Sequence, residues 1–216
     1  MPILAILALS AALAVTPTPP ATSAAPDPAA AAVLARFIEA VGGPSVLARL
    51  QVHHVKGVIL QDLDWAEPPH SETPFVAEAD AGGCVRYAET EAWSDLPDSL
   101  AADLAAKLRW ILNPRFALCV EEFFPGLTVA GHQQRAGRPV VVLAPASLPF
   151  EYDALFFDEE TGLLNHVGWH DDLEDWRPES GILVPHRWVC GRKGGHTTYV
   201  FEVFEPGPAP CAADAN

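Results

Sequence analysis

Positive charge is scarce in this sequence. Its 216 residues hold 13 Lys and Arg against 28 Asp and Glu, a formal net charge of −15. Nucleic acids and anionic membrane surfaces both need clustered positive charge, so no nucleic-acid partner is expected and membrane contact is expected only as a transient event. Signatures of metal and cofactor chemistry are missing too. There is no CxxC pair and no close Cys/His spacing, which disfavours a structural zinc site. HExxH, GxGxxG, GxxxxGK[ST] and GxSxG are likewise absent. Neither a cofactor nor a metal is therefore expected. No internal repeat at a fixed period occurs, which argues against a solenoid.

Charge of either sign is absent from the first 26 residues. Pro2 to Val15 is an apolar run of about 13 residues, too short to cross a bilayer of ~30 Å as a helix. Small residues follow, and Thr22-Ser23-Ala24 suits cleavage after Ala24. The expectation is an export signal over 1–24, a linker over 25–29, one domain over 30–205 and a flexible tail over 206–216. Export to the periplasm or the cell exterior permits disulfides among Cys84, Cys119, Cys190 and Cys211, with the pairing left open. No cysteine directly follows the apolar run, so lipid attachment there is not expected.

What the chain does hold is enough apolar residue for a sizeable core: half of it is hydrophobic, with ten Phe. Asp27-Pro28 reads as a capped helix start, and Val33, Leu34, Phe37, Ile38 and Val41 then share one helical face. Gly42-Gly43 ends that helix and Pro44 begins a short second one. A third helical pattern runs from Leu96 to Leu112, stopped by Asn113-Pro114. Elsewhere the apolar period is two. Strands are expected over 53–61, 73–80, 84–90, 116–123, 127–134, 139–143, 182–190 and 196–204, separated by turn residues. A hairpin is expected over Ala154 to Asp172, turning at Asp158-Glu159-Glu160-Thr161-Gly162. Sequential strands with tight turns make an antiparallel meander. The expected fold is α+β: one large curved antiparallel sheet with helices covering its concave face.

The candidate chemistry is sparse. On a continuous strand His166 and His170 would stand about 13 Å apart, too far to share an ion. His186, on an alternating strand, could approach His166, so these two are the candidate catalytic residues of an enzyme reading that also uses a nearby carboxylate. Asp171, Asp172, Glu174 and Asp175 lack the spacing of a calcium loop and read as a solvated loop. Arg192-Lys193-Gly194-Gly195-His196 is the one basic cluster, a candidate anion site through Arg192 and Lys193 or an ordinary exposed turn.

Two stretches resemble a known family. ARFIEAVGGPSVLARLQVHHVKGVI, from Ala35, and LFFDEETGLLNHVGW, from Leu155, resemble the fold of the lipoprotein carriers LolA and LolB, and Gly181-Ile182-Leu183-Val184-Pro185 is similar to the end of their sheet. The resemblance implies an incomplete β-barrel closed by helices, with an apolar cavity that accepts acyl chains. Phe37, Trp110, Phe156, Trp169 and Trp188 are the expected lining. A binding protein for an apolar or acylated ligand, with another envelope protein as a further candidate partner, is the main functional expectation. An enzyme on the same scaffold is the alternative.

Overall fold

A computed structural model describes residues 27–63, 70–82, 85–89, 106–145, 154–168, 170–192 and 195–206. The leader, the tail, Cys84, Cys211, Trp169 and Lys193 lie outside these residues. Helix α1 spans Pro28–Ala40, with the Asp27 carboxylate accepting from the Ala29 amide, and α2 spans Pro44–Leu47. A helical segment covers 106–111. The strands are β1 (Val52–Leu63), β2 (His70–Asp80), β3 (Val85–Glu89), β4 (Leu127–Arg135), β5 (Arg138–Pro145), β6 (Leu155–Asp158), β7 (Leu164–Val167), β8 (Asp171–Glu179), β9 (Ile182–Arg192) and β10 (Gly195–Pro206).

All ten form one sheet in the order β3-β2-β1-β10-β9-β8-β7-β6-β5-β4. It is an open antiparallel sheet, because β3 and β4 are its edges and do not pair with each other. Two meanders, β1–β3 and β4–β10, meet where β1 runs antiparallel to β10 from His53↔Pro206 to Leu63↔Gly195. Backbone hydrogen bonds along this seam join the first meander to the second.

The helices cover one face. Phe37 of α1 sits edge-on to Phe157 at 5.4 Å and to Phe116 and Trp176 at 6.3 Å each. The Leu183 amide donates to the Val41 carbonyl at 2.9 Å, so the corner after α1 is tied to β9. Arg115 holds the next corner, donating from Nε to the Leu50 carbonyl at 2.6 Å and from Nη2 to the Ala48 carbonyl at 2.7 Å. Burial on this face is nearly complete for Phe37, Leu47, Leu108, Phe157 and Trp188.

The expected turn after β6 forms as its residues dictate. Asp158, wholly buried, accepts from the amides of Glu160 and Thr161 and from the Thr161 hydroxyl, and pairs with Arg138 at 2.7 Å. Burial pushes this carboxyl upward, yet those donors and the Arg138 charge outweigh it and hold it below the usual carboxylate range. Gly162 takes the positive φ of 77° that the turn requires.

Two expectations are corrected. Residues 116–123 are not a strand but a 3-10 turn, Phe116–Leu118, followed by a short helix, Val120–Phe123. The buried set Phe116, Ala117, Val120 and Phe124 has helical spacing while Leu118 is exposed, and the Asn113 carbonyl oxygen Oδ1 caps the Arg115 amide at 2.8 Å to start the turn. The acidic stretch from Asp171 is not a loop either. The chain reverses at Gly168, with φ 59°, and Asp171–Glu179 pairs with β9 as β8. His166 and His170 are therefore not on one strand.

Candidate functional site: an apolar cavity under the helices

Between the sheet and its helical cover lies a cavity of about 50 Å³. Phe37 of α1, Trp110 of the 106–111 segment, Phe116 and Ala117 of the 3-10 turn, Trp176 of β8 and Phe204 of β10 are among its walls. Each wall comes from a different element, so no local pattern marks it. His53 of β1 and Asn113 also line it. Both are buried, His53 to 5% and Asn113 to 7% exposure. Burial drives the His53 pKa down to about 4, since the imidazolium would lose its hydration with no anion beside it.

That depression has a pH consequence of definite sign. The unfolded chain protonates this histidine at its ordinary pKa near 6.5, the folded chain only near 4. Stability is therefore fully present above the unfolded value and is lost as pH falls from 6.5 to 4, up to about 3 kcal/mol for this group. Urea unfolding across that window should be less steeply pH-dependent in His53→Gln than in the parent chain. Equal slopes would mean that His53 protonates as readily folded as unfolded.

The aromatic residues singled out in the sequence divide. Phe37 and Trp110 line the cavity together. Trp188, wholly buried, stacks on Tyr199 at 4.5 Å and donates from its indole to Asp171 Oδ1 at 3.1 Å. Asp171 Oδ2 in turn lies 2.8 Å from Lys107 Nζ, so this tryptophan is part of the tie between the 106–111 segment and the sheet. Phe156 belongs to a separate buried cluster with Val140, Val142, Ala144 and Ala154. Its neighbour Phe157 faces the main core, so alternation puts Phe156 on the opposite face of the sheet. Trp169 is outside the described residues, as are Lys193 and the side chain of Arg192.

His166 sits on that opposite face, paired across the strands with Phe156 and Asp172. Its Nδ1 is 2.6 Å from Asp172 Oδ1 and 2.9 Å from Arg135 Nη2. Burial raises the Asp172 carboxyl, but the His166 hydrogen bond and charge and then Arg135 more than offset it. The carboxylate is thus ionised, and Nδ1–H donates to it. Arg135 pairs with Asp172 at 3.6 Å and spreads over the Phe156 ring at 5.4 Å. Nε2 is buried without a partner. His186 is elsewhere: its Nε2 lies 3.2 Å from Glu179 Oε1, out of line for a hydrogen bond, and its ring meets Phe204 at 5.3 Å. Two strands and three residues separate the histidines, roughly 14 Å, and the odd offset puts them on opposite faces. The structure does not bring His166 and His186 together.

Among the described residues, no cluster of three or more His, Cys, Asp or Glu is placed to hold a metal ion. Cys119 is a thiol whose pKa burial pushes up to about 11, with Glu122 adding to the rise and Arg115 opposing it, so it is a poor nucleophile at neutral pH.

No protein-family model and no curated protein matches the chain. Three solved structures are similar to it. One is a LolA superfamily protein from Nitrosomonas europaea, at 7% identity and TM-score 0.47, covering 84% of this chain and 94% of that one. A DUF1329 family protein from Desulfovibrio piger aligns at 9% identity and TM-score 0.47 over 82% and 92%. A putative outer membrane lipoprotein-sorting protein domain from Vibrio parahaemolyticus aligns at 7% and 0.40 over 72% and 85%. These likenesses concern the fold. No helix among the described residues is long and apolar enough to cross a membrane.

Proposed function

We propose that this chain is an exported cell-envelope protein that holds an apolar, chain-like ligand between its sheet and its helical cover. The observation that supports this reading is the cavity bounded by Phe37, Trp110, Phe116, Trp176 and Phe204. Its volume of about 50 Å³ is far below the ~300–1,000 Å³ of sites for drug-sized ligands, so the cavity as it stands does not take an acyl chain. Admitting an acyl chain requires the cover over 106–118 to lift. The ties to be released are Lys107–Asp171 and the Arg115 contacts with Leu50 and Ala48. The uncharged run at the N-terminus supports export, and another envelope protein is the partner from which such a ligand would come or to which it would go.

Ala117→Val tests the site. Ala117 is buried at the cavity wall, and the added methyl groups would enter the void. A fluorescent fatty acid should bind the parent chain and bind the variant about tenfold more weakly, while the melting temperature holds or rises because a void is filled. Probe affinity unchanged in the variant would place binding elsewhere, and no binding to the parent chain would remove the proposal.

A further inference from the structure

Among the described residues that line the cavity, His53, Trp110, Asn113 and Trp176 are the ones with polar side-chain atoms. His53 forms no hydrogen bond or ion pair among the described residues, although it is buried and lines the void. Asn113 uses Oδ1 to cap the Arg115 amide, which fixes the amide's orientation and leaves Nδ2 without an acceptor among the described residues. The indole nitrogen of Trp176, a third lining residue, is buried with no acceptor either. The His53 ring and the Asn113 amide nitrogen are thus left for a ligand in the void. Among the described residues, no Asp, Glu, Lys or Arg lines it. Side-chain nitrogens that no protein group uses are open to a ligand that supplies acceptor oxygens.

We infer that the cavity receives the carboxyl group of a fatty acid, with His53 and Asn113 as its head-group contacts. This rests on the proposed apolar-ligand reading and specifies the ligand's polar end. The chain would extend from the carboxyl towards Phe37 and Trp110 as the cover lifts. A carboxylate cannot be buried beside a neutral imidazole without a counter-charge, so binding draws a proton from solvent onto His53. The low pKa of the empty site ensures that this proton is absent beforehand. The groups facing His53 do not supply the charge instead. Phe204 packs on its ring at 5.6 Å, and the titratable group on Phe204's other contact, His186, lies beside Glu179. The neighbouring His54 pairs with Glu78 at 3.0 Å.

Isothermal titration of the full chain with dodecanoate and with dodecanol, each in buffers of differing ionisation enthalpy, is the test. Dodecanoate should bind with uptake of roughly one proton and weaken as pH rises from about 6 to about 8, whereas dodecanol binds with no uptake. His53→Gln should abolish the uptake and weaken dodecanoate about tenfold while leaving dodecanol within about twofold. If that variant does not fold, Asn113→Ser, which keeps an oxygen to cap Arg115, should show the same selective loss of dodecanoate. Equal binding of acid and alcohol without proton uptake would overturn the head-group inference and leave the apolar reading standing. Failure of both to bind would overturn both. Uptake undiminished in His53→Gln would remove His53 from the site.

Discussion

Replacing Phe37 by alanine should cost about 4 kcal/mol of folding stability, measured as a shift of the urea unfolding midpoint at neutral pH. Phe37 is 2% exposed, and its ring meets Phe116, Phe157 and Trp176 edge-on. Truncation removes the transfer free energy of the ring and three aromatic contacts. It also leaves a void, because residues held by separate elements cannot all move in to fill it. A domain with 5–15 kcal/mol in hand loses a large share of its stability this way. The same substitution acts in the opposite direction on the site. Phe37 is a cavity wall, so the new void joins the existing one and should improve capture of short-chain ligands relative to the parent. A loss below about 1 kcal/mol would mean that α1 is not docked on the sheet in solution.

Substituting Gly57 by alanine should be at least as damaging, costing about 4 kcal/mol or preventing folding altogether. An ideal Cβ at this position stands 2.1 Å from the Val200 carbonyl oxygen and 2.8 Å from Phe75 Cε1. The phenyl ring could turn aside, but the carbonyl belongs to β10 and could move only by displacing its strand. Gly57 lies where the β1–β10 register shifts, next to Lys56, and the Phe75 ring covers the space that its missing side chain leaves. The seam it would disrupt joins the two meanders, so the damage should appear as loss of cooperative unfolding as well as a lower midpoint. A Gly57→Ala protein with an unchanged melting temperature would contradict the β1–β10 pairing described here.

Much of the architecture was readable from local chemistry. Asp27-Pro28 starts a helix because a carboxylate and a fixed φ serve the first turn wherever they occur. Asp158 to Gly162 makes a turn because its own side chains satisfy its own amides. Such interactions span a few residues, and the chain alone specifies them. Residues 116–123 escaped this reading because a short apolar run suits strand and helix alike. The decision fell to Asn113, which caps the turn, and to the core that received Phe116, Val120 and Phe124.

The candidate site was legible only in part. Phe37 stood out because its helix is amphipathic, and Trp110 only as lining that the family resemblance implies. His53 carried no signal: beside His54 it reads as one more residue of an alternating strand. Alternation itself is interrupted by the register shifts at Lys56/Gly57 and Phe156/Phe157, which move residues between faces without any mark in the sequence. His166 and His186, comparable as sequence, fall on opposite faces through the pairing register of β7, β8 and β9. Composition, capping and turn chemistry determined that this chain forms a helix-covered antiparallel meander, because those forces act between near neighbours. The folded packing decided that His53, Asn113 and Trp176 share one cavity, because burial and the loss of hydrogen-bond partners arise only when distant segments close around the same space.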